Sequence, residues 1–438
     1  ADRGSASPVA CPCCGTSYLL RRKGRSSPIR NFRTGFAKTS QLLASELFEL
    51  LHAGGLDSPK AIVFSDSRQD AARSAVELEA NHHRALIRDM TVRLLRERVD
   101  HSYRAGEVEG LRAALEEAIA ARRWADADRL ERELAAADQR GAAVARLNQI
   151  GQDPRDASYQ STQPGQPAPM APLIASLVRL GMHPSDATVT DDEHWWTLFE
   201  KSGEQVDWAL PTDPRAQGQV TAARREIVDE QEEAIYDTLF NKTYFSFEEA
   251  GLGYPTLYPD GERTIERDRM DAALRVFADA YRVIASRWVD PDEAPLWHNA
   301  GDVPTNNRVA RLAARVNATA PNRAIEGMLS ELRTLGHDGG LIHLFNLGVR
   351  LTQAEDPYWR CVQCDRVHLH QGHGLCTRCF APLPGQAAGT VDELWRRNFL
   401  AHRIARAGHA ATAPFRLRSE ELTGQTRDGA ERLRRFRG

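Results

Sequence analysis

The chain has 438 residues, 42% hydrophobic and 27% charged, an ordinary balance for a globular protein and long enough for several domains. Its formal net charge of −3 excludes a global basic field for nucleic acid. No apolar run is long enough for a membrane span, so a cytoplasmic protein without membrane partners is expected.

Residues 1–30 form a basic segment that opens with Cys11-Pro-Cys-Cys14-Gly. Cys11 and Cys14 have the spacing of one zinc knuckle, whose partner pair is either expected upstream, the favoured reading, or replaced by Cys13 and nearby groups; an unligated, oxidation-prone cluster is the plainer alternative. Arg21 to Lys38 carries seven Lys/Arg and no acid, with Phe32 and Phe36 interleaved. Such a run can hold phosphates and stack bases, which makes Arg30 and Arg33 candidate nucleic-acid contacts. A solvated face is the plainer alternative.

Thr39 to Leu51 has helical leucine spacing. Ala61-Ile-Val-Phe64 reads as a buried, parallel strand, Ser65-Asp66-Ser67 as a helix N-cap cluster, and the following helix runs to about Val99. Strand, polar turn and helix make half of a βαβ unit. Ser65, Ser67, Arg68 and Gln69 either hold a nucleic-acid backbone at that helix start or simply cap and solvate it.

A largely helical stretch is expected over 101–355. It contains a helical hairpin at 107–141, a Pro/Gln/Gly/Ser-rich linker at 153–172 and a helical region at 173–355. Leu111, Leu115 and Ile119 share one face of the hairpin; Trp124, Leu130 and Leu134 share another. Asp186 to Asp237 is rich in acids and contains Trp195-Trp196, read as core in preference to an interface.

Residues 356–384 carry Cys361-x2-Cys364 and Cys376-x2-Cys379, eleven residues apart. Each C-x-x-C makes a tight knuckle, and the intervening residues suffice for a hairpin that brings the two together on one tetrahedral ion. Four thiolates leave no open position, so the expected Zn2+ is structural. Any of His368, His370 and His373 could replace a cysteine ligand; they are expected instead to decorate the hairpin and, with Arg360, Arg366 and Arg378, to make it locally basic. All seven cysteines fall in the two clusters, which favours metal in a reducing compartment over disulfides.

Residues 385–438 read as a helix from Val391 to Ala407, then a strand at Phe415–Glu420, a Gly424-Gln425 turn and an amphipathic helix bearing Arg432 and Phe436. Together with residues 31–100 they form the expected α/β part of the fold.

Several blocks, in order, resemble the superfamily-2 DEAD/DEAH-box helicases, in the large bacterial branch with zinc-binding cysteines that includes the Druantia- and DISARM-type defence helicases. They are Ser27-Pro-Ile-Arg-Asn-Phe-Arg-Thr-Gly-Phe-Ala-Lys-Thr-Ser-Gln-Leu-Leu43, Phe64-Ser-Asp-Ser-Arg-Gln-Asp70, Trp359-Arg-Cys with its ribbon, and Glu420-Glu-Leu-Thr-Gly-Gln-Thr426. The resemblance implies a RecA-like second motor lobe, a parallel sheet of the P-loop NTPase type interrupted by a large insertion. It further implies an ATP-dependent DNA helicase or translocase, with a place in phage defence. By position, Ser65, Arg68 and Gln69 belong to its motif IV, and Gly424, Gln425 and Arg432 to the next motif.

The family's phosphate cradle, metal-holding acid and charge-stabilising arginine have no counterpart in this sequence. Gly35-Phe-Ala-Lys38-Thr39 lacks the glycines of a Walker A loop, and Asp192-Glu-His-Trp195 follows no apolar strand. The expectation is therefore a fragment without catalytic residues and inactive alone. ATP and Mg2+ would bind only in a complete enzyme, with the first lobe, the rest of the second and other defence subunits as partners. The alternative is a non-enzymatic zinc-ribbon adaptor for nucleic acid or protein. Strands 61–64 and 414–420 are expected side by side and parallel.

Overall fold

The structure, a computed structural model, describes residues 36–56, 59–61, 68–100, 105–131, 144–154, 170–185, 194–203, 205–241, 246–259, 263–286, 293–398, 401–406 and 414–418. It is a mixed α/β fold in which helices predominate. Among the described residues no helix is long and apolar enough to cross a membrane.

Helices α1 (Phe36–Ala53) and α2 (Arg68–Asp100) pack against each other. The C-terminal half of α2 enters the main core through Leu86, Met90, Leu95 and Val99. Helix α3 (Ala105–Ala120) is followed by a turn and a short helix α4 over 124–131. Leu111 and Leu115 are part-covered on α3, whereas Ile119 and Trp124 are largely exposed.

Strand β1 (Val144–Arg146) leads to helix α5 (Pro172–Arg179), hairpin β2 (Phe199–Ser202)–β3 (Gln205–Trp208) and helix α6 (Pro214–Phe240). Asp213 caps α6 by accepting from the Ala216 amide, and Pro214 presets its first turn. Trp195, Trp208, Ile174 and Ile227 form a small second core between the hairpin, α5 and α6. Trp195 is thus core, while Trp196 stays half exposed.

Next come β4 (Gly253–Thr256), α7 (Ile265–Asp279), α8 (Arg308–Val316), α9 (Pro321–Thr334) and β5 (Gly348–Leu351). Thr264 caps α7, and Glu266 and Asp268 suit its positive N-terminal end. Asn307 caps α8. The chain then forms β6 (Pro357–Arg360), β7 (Val367–His368), β8 (Gly389–Thr390) and α10 (Val391–Arg397).

The named strands make three small antiparallel sheets, ordered β1-β5-β4, β2-β3 and β7-β6-β8. A RecA-like parallel sheet is not seen among the described residues, where the one parallel pairing is the isolated bridge Val283–Ile342. Of the two strands expected to pair, 62–64 lie outside the described residues. Residues 414–418 are described but form no strand. Instead, the Phe415 ring packs against Phe48, His52 and His82, with centroids 6.3, 5.1 and 5.2 Å away. The Phe415 carbonyl can only accept, so His82 donates to it from Nε2 (3.0 Å) and leaves Nδ1 to accept from the buried Ser45 hydroxyl (3.1 Å). The apolar residue that suggested a strand is thus consumed by ring packing between two helices.

Candidate metal centre

Cys361, Cys364, Cys376 and Cys379 have their sulfurs all within 4.8 Å of one another. Cys361 Sγ lies 3.5 Å from Cys379 Sγ, and Cys364 Sγ lies 3.5 Å from Cys376 Sγ. Both distances are far too long for a disulfide, about 2.05 Å. They are close to the edge of a tetrahedron with metal–sulfur bonds of about 2.3 Å. The four cysteines can therefore hold one metal ion such as zinc.

The two knuckles repeat one backbone device. In the first, the Asp365 amide donates to the Cys361 carbonyl (2.9 Å) and the Cys361 amide to the Arg366 carbonyl (2.9 Å). In the second, Phe380 donates to Cys376 (2.9 Å) and Cys376 to Ala381 (2.8 Å). Asp365 and Phe380, each just after the second cysteine, both adopt the left-handed conformation, with φ of 61° and 63°. That conformation costs a non-glycine residue roughly 1 kcal/mol, so both turns are held by their surroundings. Phe380 is buried in the main core, and Asp365 pairs with Arg360 at 3.0 Å.

Burial pushes the Cys361 thiol up, but the Cys364 and Gln363 amides outweigh this and leave it below the usual thiol value. Burial holds Cys364 up at about 11 and raises Cys376 further. Four neighbouring thiols in this setting do not all ionise on their own. A divalent cation supplies the missing charge, and each thiol that binds it releases its proton.

The hairpin does not stand apart. Tyr358, Val367, Leu369 and Phe380 belong to the same core cluster as Leu274, Phe277, Leu312 and Val349. Beneath it lies a set of three buried guanidiniums (Arg275, Arg308, Arg366) and three carboxylates (Glu248 and Asp279 buried, Glu249 part-covered), balanced in formal charge. Arg366 reaches Asp279 at 3.5 Å and Glu248 at 3.8 Å, and Arg308 reaches Asp279 at 3.6 Å. Burial alone would lower the Arg366 pKa, but Asp279, Glu248 and Glu249 together hold it above the usual arginine value. Arg308 also donates from Nη2 to the Thr377 and Arg378 carbonyls, at 2.7 and 2.8 Å, and so grips the second knuckle from α8.

This geometry corrects the expected character of the hairpin. His368 and His370 are buried, and His373 is part-covered. None of the three belongs to the ligand group. Burial drives them down to about 3, 4 and 4, so they are neutral at pH 7. Arg366 is only 3% exposed and serves the ion cluster, not a basic surface. Nothing in local spacing marked Glu248, Asp279 and Arg308, which converge from separate elements.

Arg68 and Gln69 lie in the first turn of α2. Phe36 to Thr39 begin helix α1, so the Lys38-Thr39 pair sits in a helix and not in a phosphate loop. Cys11, Cys14, Arg30, Arg33, Ser65, Ser67, Gly424, Gln425 and Arg432 lie outside the described residues. No protein-family model, curated protein or solved structure matches the chain.

Proposed function

We propose that the chain is part of an ATP-dependent DNA helicase or translocase, within an anti-phage defence system, and that its four-cysteine region is a rigid zinc-built body carried by the second motor lobe. The observation that carries the zinc part is the closed sulfur cluster, whose four thiolates fill a tetrahedral ion and leave no position for chemistry. The metal's role is then to fix the hairpin, and through it the core.

The motor part rests on the sequence blocks at 27–43, 64–70 and 420–426, and on one packing relationship. Phe415 seats between α1 and α2 although His82 and Phe415 are 333 positions apart. A long insertion into one lobe requires such closure, and closing even a long loop costs only about 0.6 kcal/mol per doubling of its length. In this reading Ser65, Ser67, Arg68, Gln69, Arg30, Arg33, Gly424, Gln425 and Arg432 face DNA, and Cys11 with Cys14 is half of a second knuckle. ATP and Mg2+ belong to the complete enzyme.

A second reading, a zinc-built adaptor without a motor, is favoured by the small antiparallel sheets of the described residues. Extending the source coding sequence beyond Gly438 and assaying the longer protein separates the two. DNA-stimulated ATP hydrolysis by the extended protein, absent from the 438-residue chain, supports the motor. DNA binding with no hydrolysis in either form contradicts it and leaves the adaptor.

A further inference from the structure

The four hairpin cysteines differ in access. Cys361 and Cys376 are 1% and 0% exposed, whereas Cys364 and Cys379 are half-buried. Solvent reaches the knuckle tips beside them: Val362 is 85% exposed, and Gln363 and Arg378 are exposed as well. Each half-buried sulfur lies 3.5 Å from a buried one on the other knuckle, Cys364 from Cys376 and Cys379 from Cys361. Every accessible sulfur thus has a shielded partner across the hairpin.

That arrangement suits reversible oxidation. A cysteine bound to a metal is a thiolate, which is the nucleophilic form. A thiolate oxidised to a sulfenic acid is trapped as a disulfide when a second sulfur stands beside it, and is otherwise open to irreversible oxidation. Each 3.5 Å pair needs to close by about 1.5 Å to reach the length of a disulfide bond. The knuckle backbones have supports besides the sulfurs: Phe380 in the main core, Arg360 on Asp365, and Arg308 on the Thr377 and Arg378 carbonyls. Links across the hairpin would tie one knuckle to the other, as a shared ion does. Links within each knuckle would not.

We propose that Cys364 and Cys379 are oxidation sites for hydrogen peroxide, and that Cys376 and Cys361 resolve them into two disulfides across the hairpin. This rests on the reading of the hairpin as zinc-built. At each site the sulfur attacks one peroxide oxygen, the O–O bond breaks and hydroxide leaves, giving a sulfenic acid. The buried partner then attacks that sulfur, the S–O bond breaks and a second hydroxide leaves. Each disulfide gives up two electrons to one peroxide. The two sites together consume two peroxides and four protons, yield four waters and free one zinc ion, because no thiolate is left to hold it. The oxidised hairpin stays closed without metal, and a dithiol returns it to the zinc-binding form.

The test uses the full 438-residue chain with Cys11→Ser, Cys13→Ser and Cys14→Ser, which leaves the four hairpin thiols. It is titrated with hydrogen peroxide while a dye reads free zinc, and its tryptic peptides are mapped by mass spectrometry. Trypsin cuts after Arg360, Arg366, Arg378 and Arg396, which puts Cys361 and Cys364 on one peptide, Cys376 on a second and Cys379 on a third. The expected result is one zinc freed per about two peroxides, with all three peptides joined and fragmentation assigning Cys361–Cys379 and Cys364–Cys376. The oxidised chain should keep its melting transition in chelator and lose it when a dithiol is added. Zinc retained under excess peroxide, or sulfinic acids in place of disulfides, overturns the proposal while the zinc reading stands. Disulfides within each knuckle overturn it too. A chain purified without zinc overturns both.

Discussion

Arg308 and Thr377, 69 positions apart, are joined by a hydrogen bond of 2.7 Å from Nη2 to the carbonyl oxygen. The same nitrogen lies 3.6 Å from Asp279 Oδ2, so one buried guanidinium ties a cysteine knuckle to the ion cluster beneath it. Removing one partner of a buried charged group leaves the others unpaired, at a cost of about 3–5 kcal/mol. Arg308→Ala should lower the unfolding free energy by that order and loosen metal retention in parallel. Urea unfolding with a chelator competition on the same samples checks it. A variant with parental stability would show that the clamp is dispensable.

Gly372 lets the hairpin loop approach α7 closely. It has φ of +54°, and a Cβ there would lie 2.5 Å from Ala272 Cβ. Both the left-handed backbone and the contact oppose a side chain. Gly372→Ala should destabilise by about 1–3 kcal/mol through overpacking and strain. Denaturant melts of the pair measure it, and an unchanged midpoint would mean that the loop sits further from α7.

The cysteine spacing was legible because each knuckle is local and the two are alike. Cys361–Phe380 contains every ligand and both tight turns. The ion cluster was not legible, since Glu248, Asp279, Arg308 and Arg366 meet only after α7, α8 and the hairpin have packed. Strands β6 to β8 are four residues or fewer, too short for alternation to register. The segment at 414–418 has a strand-like composition, but its aromatic residue is used against His52 and His82. Arg378 and Arg366 look equivalent in sequence, and one is exposed while the other is buried. Only the fold separates them.

Acid should destabilise the protein through its buried histidines. Burial lowers His368 to about 3, with Glu248 and Arg366 facing it, and His370 to about 4, with Asp268 and Arg263 facing it. The unfolded chain takes up these protons near pH 6.5, before the folded one does. Their contribution is therefore fully present above about pH 6.5 and lost as pH falls toward the folded values, by up to about 1.4 kcal/mol per pH unit for each histidine. Unfolding free energies measured between pH 7.5 and 5 should fall, with a shallower slope for His370→Phe. Equal slopes would contradict the burial of a neutral His370.

Asp271 works in the opposite direction. Burial raises its carboxyl to about 7, although it accepts from the Leu257 amide at 2.9 Å. A folded value above the unfolded one means that stability is present at low pH and lost as pH rises through about 7. Asp271→Asn keeps an acceptor and removes the charge. It should therefore raise stability above pH 7 by about 1 kcal/mol or more and change little near pH 4. The same melts at pH 8 and pH 4 decide it, and destabilisation at pH 8 would contradict it.

In the proposed function one zinc ion, held by Cys361, Cys364, Cys376 and Cys379, organises the core shared by the hairpin, α7 and α8. The most direct measurement is the metal content of the purified chain, followed by its thermal melt before and after chelation. One zinc per chain is expected, with loss of the cooperative transition on chelation that zinc alone restores. Structural zinc contributes on the order of 10–16 kcal/mol in small domains, so the shift should be large. A chain that carries no metal, or that melts unchanged after its metal is removed, would contradict the claim.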